Sequence, residues 1–171
     1  MKLLIIFIYL TMINFSQAFE KLDLKNLVLI ENPKLYKEVI FTDINQKNVE
    51  LDDFRGKLII LNFWATWCAP CREEMPSLDN LQSNTELDNL KIFPINIGRE
   101  DLSKSESFFK ELKIKNLEIY FDAPITLAKK FSLRGVPTSI IFNKEGKEFA
   151  RIIGSIDFND EEFVNWLKLY N

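Results

Sequence analysis

The sequence predicts an α/β domain in which a central mixed sheet is flanked by helices. Apolar, strand-like segments alternate with helix-like segments through the middle of the chain, which is the pattern of parallel strands joined by helices. Near the C-terminus, a polar turn at residues 143–146 separates two further strand-like segments and predicts an antiparallel hairpin. Residues 58–64 are apolar almost throughout, as expected of a central strand that is covered on both faces.

Residues 1–18 have the features of an export signal. Lys2 provides a positive start, an apolar stretch follows over residues 3–13, and Ser16 and Ala18 supply the small residues of a cleavage site. An uncleaved membrane anchor is the alternative, although the apolar stretch is short for a bilayer span of about 20 residues. In either case we expect the rest of the protein to be exported, to the periplasm or to the outer face of the cytoplasmic membrane.

The segment that follows leads into one predicted domain. Residues 19–37 predict an irregular lead-in with one short strand at residues 27–30. Strand-like segments at residues 39–42 and 48–51 flank a polar turn, and they predict a hairpin ahead of the first central strand. We expect the domain itself to span residues 38–171, a length that can bury a proper core.

The helix after the first central strand is predicted from its prolines and its apolar spacing. Pro70 suits a first helical turn, where a missing N–H group costs nothing. Pro76 should kink the helix without preventing it. Leu78 and Leu81 continue the buried face of this helix.

A second strand, a helix and a third strand are predicted next. Residues 92–97 predict a central strand, and residues 118–121 predict another. Between them, Ser103 and Glu106 have the spacing of a capping box, and apolar residues follow at helical intervals. We therefore expect a helix to begin at Ser103.

The C-terminal part of the chain predicts two helices and a hairpin. Asp122 is predicted to cap a helix that carries Pro124 in its first turn. Residues 138–142 and 148–153 predict the two strands of the hairpin. Asn159 is predicted to cap the last helix. The apolar stripe of this helix consists of Phe163, Trp166, Leu167 and Tyr170. Such a stripe indicates core packing rather than a ligand site.

The composition excludes several classes of function. The chain has 25 acidic and 22 basic side chains, a formal net charge of −3, and no basic stripe suited to nucleic acid. It contains no histidine, which excludes Ser-His-Asp and Cys-His catalysis, histidine-bound zinc and haem attachment through Cys-x-x-Cys-His. We expect a chemistry of thiols, carboxylates and backbone groups, with neither a metal nor a cofactor.

Cys68 and Cys71 carry the strongest functional signal. They are the only two cysteines of the chain, and they lie between an apolar strand and a helix. Their helical spacing lets the two sulfurs bond and re-open, and the positive end of a helix favours a thiolate. A structural disulfide is the alternative, although so short a loop removes little entropy from the unfolded chain, and a zinc site would need more ligands. The pattern therefore predicts a reversible dithiol–disulfide couple.

Two motifs resemble a known family. Residues 62–76 read Asn-Phe-Trp-Ala-Thr-Trp-Cys-Ala-Pro-Cys-Arg-Glu-Glu-Met-Pro, and residues 135–138 read Gly-Val-Pro-Thr. Over roughly residues 36–171 the chain resembles the thioredoxin fold, and within it the extracytoplasmic branch of the TlpA, ResA and cytochrome c biogenesis proteins. The hairpin at residues 39–51 and the segment around residues 99–121 are similar to features of that branch. The resemblance implies a thioredoxin-like fold with an N-terminal hairpin and a central βα insertion.

The resemblance also implies roles for three residues of the first motif. Cys68 corresponds to the attacking thiol and Cys71 to the resolving thiol, and the helix dipole supports this order because Cys68 is nearer the helix start. Glu74 is the candidate base for Cys71, since it lies on the same helical face, whereas Glu73 does not. Thioredoxins have an aspartate at the position of Asn62, and an amide cannot accept a proton. An ordinary glutamate that complements the helix dipole is the alternative role for Glu74.

The second motif implies a surface for substrate. Pro137 resembles the proline that forms a cis peptide bond opposite the active site, and Val136 would then pair through its backbone with an extended substrate segment. A trans proline at the start of a strand is the alternative. Trp67 is expected to be exposed beside Cys68 as an apolar rim for substrate, and Trp64 to lie in the core.

The predicted function is that of an extracytoplasmic thiol–disulfide oxidoreductase. It would reduce protein disulfides through Cys68 and Cys71 with electrons from a membrane protein, in cytochrome c maturation or copper-site assembly. A disulfide oxidant and a non-catalytic binding module with a permanent disulfide are the alternatives. A peroxiredoxin is disfavoured because Thr66 does not fit the signature Pro-x-x-x-Thr-x-x-Cys. We expect no nucleic acid partner, and membrane contact only through an uncleaved N-terminal segment.

Overall fold

The computed structural model describes residues 26–98, 100–122 and 125–171. The predicted export signal lies outside these residues, and so does Pro124, which was predicted to lie in the first turn of a helix. Within them, the strands are β1 (Leu27–Leu35), β2 (Ile40–Thr42), β3 (Asn48–Glu50), β4 (Leu58–Trp64), β5 (Leu90–Asn96), β6 (Tyr120–Phe121), β7 (Thr138–Phe142) and β8 (Lys147–Ile153). The α-helices are α1 (Ala69–Gln82), α2 (Leu102–Glu111), α3 (Thr126–Lys130) and α4 (Glu161–Lys168).

These strands form one mixed sheet in the order β1-β8-β7-β4-β5-β6-β2-β3. Strand β4 pairs in parallel with β5, and β5 pairs in parallel with β6. On the other side of β4, strands β7, β8 and β1 follow in antiparallel pairings. The hairpin β2–β3 joins the opposite edge of the sheet through β6. The predicted α/β class, with a central mixed sheet and an N-terminal hairpin, is confirmed.

Strand β4 is the centre of the core because every one of its residues is buried. Its side chains alternate between the two faces of the sheet, as the strand period of two requires. Ile60 and Trp64 pack in the cluster that contains residues of α1, α2 and α4. Leu61 and Phe63 pack in the cluster that contains residues of α3 and of the β2–β3 hairpin. Each fully buried apolar side chain of this size contributes about 1.5–3 kcal/mol to folding.

Helix α1 begins where β4 ends, after a short turn at the carboxyl end of the parallel strands. Pro70 lies in its first turn, as predicted, and the helix continues through Pro76 to Gln82. Met75, Leu78 and Leu81 form its buried apolar face. Because β4 is fixed by packing on both faces, the N-terminus of α1 is held at a defined position at the end of the sheet.

Two predicted helix starts are wrong by one or two residues. Helix α2 is capped by Asp101 rather than Ser103, since the Asp101 carboxylate accepts the N–H group of Lys104 at 3.1 Å. Helix α4 is capped by Asp160 rather than Asn159, through the N–H group of Phe163 at 3.0 Å. In both helices a carboxylate accepts an N–H group of the first turn, as a hydroxyl or an amide could, and its negative charge also complements the helix dipole.

The prediction that Asp122 is the cap residue of the next helix is wrong, because Ile125 occupies the N-cap position, but the Asp122 carboxylate does bind the first turn of that helix. It accepts the backbone N–H groups of Thr126, Leu127 and Ala128 at 2.8–2.9 Å. The helix itself begins at Thr126, directly after Ile125 and four residues after Asp122.

The predicted short strand at residues 27–30 is part of a longer edge strand. Strand β1 extends over Leu27–Leu35 and pairs with β8, with a shift of register between Leu29 and Lys34. Pro33 lies within this irregular part. An edge strand tolerates a proline there because one side of its backbone needs no partner strand.

None of the helices in residues 26–98, 100–122 and 125–171 combines the length and the hydrophobicity needed to cross a membrane.

Candidate active site

Cys68 and Cys71 form a disulfide at the N-terminus of α1, with their Cα atoms 5.3 Å apart. Cys68 is the N-cap residue of the helix, and its Sγ accepts the backbone N–H group of Cys71 at 3.2 Å. Cys71 is fully buried, and Cys68 is 4% exposed. Both residues are thus buried, and Cys68 is the more accessible of the two.

The first turn of α1 favours negative charge on the Cys68 sulfur. The N–H groups at the start of a helix carry partial positive charge, and one of them already points at Cys68 Sγ. The first turn contains no acidic residue that would offset this charge. After reduction, the same N–H group can stabilise a thiolate at Cys68.

Glu74 is a buried carboxylic acid one helical turn after Cys71. It is 3% exposed, and its Oε1 accepts the side-chain N–H group of Asn62 at 2.8 Å. Its Oε2 has no hydrogen-bond partner among the described residues. Burial raises the pKa of Glu74 to about 8, while the Asn62 amide and the backbone N–H group of Ile156 act in the opposite direction.

Glu74 also lines a cleft that opens to solvent beside α1. The cleft has a volume of about 510 Å³, and Glu73 and Asp157 also line it. Its other walls come from α1 and from the segment between β8 and α4, including Ser155 and Ile156. Glu74 thus lines a cleft that also contains the carboxylates of Glu73 and Asp157.

The Val136–Pro137 peptide bond is cis, as the family resemblance implies. Pro137 is buried directly before β7, and its carbonyl oxygen accepts the N–H group of Gly154 at 3.0 Å. Val136 is half-buried and packs on the same apolar cluster to which both cysteines belong.

The two tryptophans of the motif have the predicted environments. Trp67, directly before Cys68, is 71% exposed, whereas Trp64 is fully buried and stacks near Phe108 at 4.7 Å between ring centroids. Such exposure is unusual for so large an apolar side chain. Trp67 therefore forms an apolar surface beside the more accessible cysteine.

Two contacts of the site were not predicted from the sequence. Asn62 donates to Ser139 Oγ at 3.0 Å as well as to Glu74. Thr66 Oγ1 donates to Glu100 Oε1 at 2.6 Å, and thereby joins the turn before Cys68 to the segment after β5. The polar Asn62 in an otherwise apolar central strand was the one signal that could have indicated the first contact.

Within the described parts of the chain, no group of three or more histidine, cysteine, aspartate or glutamate residues could hold a metal ion. The chemistry that the site itself offers is thiol–disulfide exchange at Cys68 and Cys71, with a carboxyl group of raised pKa beside them.

The fold and the site define the class of protein as a thiol–disulfide oxidoreductase with a thioredoxin-like fold. The chain belongs to the AhpC/TSA family, whose sequence profile matches residues 34–147. It is 31% identical over 129 residues to the thiol-disulfide oxidoreductase ResA of Bacillus thuringiensis subsp. konkukian, covering 75% of this chain and 72% of the relative. It is 29% identical over 130 residues to ResA of Bacillus subtilis, with the same two shares.

Solved structures show the same fold. A putative thiol:disulfide interchange protein DsbE from Chlorobium tepidum superposes with a TM-score of 0.68 at 18% identity, over 82% of this chain and 96% of that one. StoA from Bacillus subtilis superposes with a TM-score of 0.61 at 23% identity, over 81% of this chain and 97% of that one.

Proposed function

We propose that this protein reduces disulfides of other proteins outside the cytoplasm, with Cys68 as the attacking thiol. The observation that carries the proposal is the position of the disulfide. It lies at a helix N-terminus, directly beside the exposed Trp67, and belongs to the apolar cluster on which Val136 of the cis Val136–Pro137 segment packs. A disulfide that served only to staple the fold would need none of these neighbours.

The first step is attack of the Cys68 thiolate on a substrate disulfide. A bond forms between Cys68 Sγ and one substrate sulfur, the substrate disulfide breaks, and the other substrate sulfur leaves as a thiolate. The N–H group of Cys71 stabilises the thiolate of Cys68 before attack. The product is a mixed disulfide between the protein and its substrate.

The second step is attack of Cys71 on Cys68 Sγ. Cys71 loses its proton to Glu74, the Cys68–Cys71 bond forms, and the second substrate sulfur leaves as a thiolate. The two electrons that the substrate gains come from the two cysteines, which end as the disulfide. Because a thiol has an ordinary pKa of about 8.5, a carboxyl group with a pKa of about 8 can accept its proton with little change in free energy.

Trp67, Val136 and Pro137 form the proposed substrate-binding surface. Trp67 supplies an exposed apolar contact next to the attacking sulfur. The backbone of Val136, before the buried Pro137, is the proposed partner for an extended substrate segment, by the same hydrogen bonding that adds a strand to a sheet edge.

The exported location rests on the N-terminal sequence. Lys2, the apolar stretch and the small residues before Phe19 support a signal that is cleaved or retained as an anchor. A protein that reduces disulfides in that compartment must be reduced again after each cycle, so we propose a membrane protein as electron donor. An apocytochrome c or a copper-site assembly factor is the proposed kind of substrate.

The reduction potential of the Cys68/Cys71 couple tests the direction of the reaction. The purified protein is equilibrated with thiol–disulfide buffers and followed by tryptophan fluorescence, since Trp64 and Trp67 lie on either side of the turn before Cys68. We expect a potential near or modestly above about −270 mV, which suits a reductant. A value near about −120 mV would indicate a disulfide donor instead, and a value below about −300 mV with an unreactive Cys68 would indicate a permanent disulfide.

A further inference from the structure

The buried amide of Asn62 is the feature of the site that the two-step reaction leaves without a role. Asn62 lies in the middle of β4, in which every residue is buried, and is itself fully buried. Its side-chain nitrogen donates to Glu74 Oε1 at 2.8 Å and to Ser139 Oγ at 3.0 Å. Both N–H groups of the amide are therefore used.

The same amide leaves its own oxygen without a hydrogen bond. Asn62 Oδ1 is buried and has no partner among the described residues. Buried polar atoms without partners are rare, because burial removes their hydrogen bonds to water. An apolar residue would pack in this strand without that loss, so packing alone does not explain an asparagine here.

The sheet register explains how Asn62 reaches both partners. Asn62 and Ser139 are directly opposite each other in the antiparallel pair β4–β7, and Ser139 lies two residues after Pro137. Asn62 is on the same face of β4 as Ile60 and Trp64, the face that packs against α1. One side chain thus joins the helix that carries Glu74 to the strand that follows the cis-proline segment.

We infer that Asn62 is a positioning residue of the active site, whose amide holds the Glu74 carboxyl in place and ties it to Ser139. It contacts neither substrate nor a reacting sulfur in this role. It acts through Glu74, by fixing the carboxyl group and by favouring its charged form through a donated hydrogen bond. The inference rests on the proposed role of Glu74 as base for Cys71.

The surroundings of Glu74 make Asn62 the strongest polar influence on it. On α1, the titratable neighbours are the two cysteines and the exposed Glu73. The facing segment after β8 brings Asp157 to the edge of the cleft, and β4 and β7 present the uncharged Asn62 and Ser139. Apart from burial, the influences on the pKa of Glu74 are the Asn62 amide and the backbone of Ile156.

The second step can be measured separately with the aromatic disulfide DTNB. The reduced full chain reacts first at Cys68 and releases one thionitrobenzoate, and Cys71 then displaces the second by attacking Cys68. The rate of the second release is recorded against pH. With the native protein, we expect it to rise as the Glu74 carboxylate forms, near its pKa of about 8.

Replacing Asn62 should move this pH profile. Leucine is similar in size to asparagine but has no N–H group, so in Asn62→Leu the Glu74 carboxylate loses a hydrogen-bond donor. We therefore expect the midpoint of the pH profile to move upward by about one pH unit. In Glu74→Gln the rate should rise only with ionisation of the Cys71 thiol itself, so the inflection should move to higher pH and the rate near pH 8 should be lower. Asn62→Leu added to Glu74→Gln should produce no further change in the profile. An unchanged profile in Asn62→Leu, or an equal effect with and without Glu74, overturns the inference. An unchanged profile in Glu74→Gln instead overturns the proposed base.

A measurement on the native sequence avoids dependence on the folding of Asn62→Leu. The side-chain NH₂ resonance of Asn62 in the oxidised protein, followed by NMR, should titrate with the pKa of Glu74. This titration should be absent in Glu74→Gln and retained in Glu73→Gln, which changes a neighbouring exposed carboxylate. An Asn62 resonance that does not respond to the titration of Glu74 also overturns the inference.

Discussion

Glu73 and Glu74 are adjacent in the sequence, but the helix turns them into different environments. Glu73 is exposed, whereas Glu74 is buried against the central strand and bonded to Asn62. The difference follows from helical geometry, since Glu74 is three residues after Cys71 and shares its face, while Glu73 is two residues after it. Two chemically identical groups therefore offer a matched test of which one accepts the proton of Cys71.

Glu74→Gln should slow the resolution of a mixed disulfide, because the amide cannot accept the proton of Cys71. General base catalysis typically contributes about 10²–10⁴-fold, so we expect a decrease of at least about tenfold near pH 8. Attack by Cys68 should change less, as its thiolate is stabilised by the N–H group of Cys71. Stopped-flow kinetics of the two steps make the comparison.

Glu73→Gln is the control for this change, since it removes the same charge at an exposed position. It should leave the rate of resolution within about twofold of the native value, as expected of a screened surface charge. Equal effects of the two substitutions would show that net charge near the helix matters, and that Glu74 is not the base.

Helix α1 is joined to the segment after α2 by a single buried carboxylate. Asp79, on the face of α1 away from solvent, accepts the backbone N–H groups of Lys115, Asn116 and Leu117 at 2.7–3.2 Å. It also accepts the side-chain amide of Asn116 at 3.0 Å. This carboxylate fixes the chain between α2 and β6 against the helix that carries the cysteines.

Asp79→Ala should therefore destabilise the protein more than an ordinary surface change. Three backbone N–H groups lose their acceptor. Water can replace it at the exposed Lys115 and Asn116, whereas the N–H group of the buried Leu117 is left without a partner, at a cost of about 1–3 kcal/mol. We expect a loss of about 2–4 kcal/mol in the free energy of unfolding, measured with urea. Asp53→Ala, at an exposed position, should change the free energy of unfolding by less than about 0.5 kcal/mol. A similarly small loss in Asp79→Ala would show that the hydrogen bonds of Asp79 to residues 115–117 do not stabilise the fold.

The central strands could be predicted well because their apolar side chains indicate burial. Leu58–Trp64 and Thr138–Phe142 were predicted with the observed bounds, since mostly apolar segments with β-branched or aromatic residues favour buried strands. Helix starts were less predictable. Asp101 and Ser103 are both good caps, and in the structure Ser103 donates to Asp101 instead of capping.

In the active site, contacts between residues close in the sequence could be predicted, whereas contacts between distant residues could not. The environment of Glu74 could be predicted from its spacing to Cys71, since both are on one helix. The contact of Asn62 with Ser139 could not, because it depends on the register of β4 against β7, residues far apart in the chain. Likewise, the length of β1 depends on its pairing with β8 rather than on its own composition.

For the whole molecule, Glu74 links catalysis to stability. A pKa of about 8, against 4.5 for the unperturbed group, means that the folded protein binds a proton which the unfolded chain releases. Between these two values the folded state holds more protons, so its stability falls as pH rises. Below the unfolded value both states are protonated, and above the folded value the buried charge is fully formed and the loss is complete.

The native oxidised protein should accordingly become less stable between about pH 5 and about pH 9, by on the order of 5 kcal/mol from this group alone. The disulfide keeps the two cysteines from titrating in this range. Glu74→Gln carries no titrating group at this position, so its stability should depend much less on pH and should exceed that of the native protein at the alkaline end. Urea unfolding of both proteins, with Glu73→Gln as the control, measures the difference. If the native protein and Glu74→Gln lose stability in parallel, the carboxyl of Glu74 is ionised at neutral pH, and it could not be the group whose titration limits the attack by Cys71.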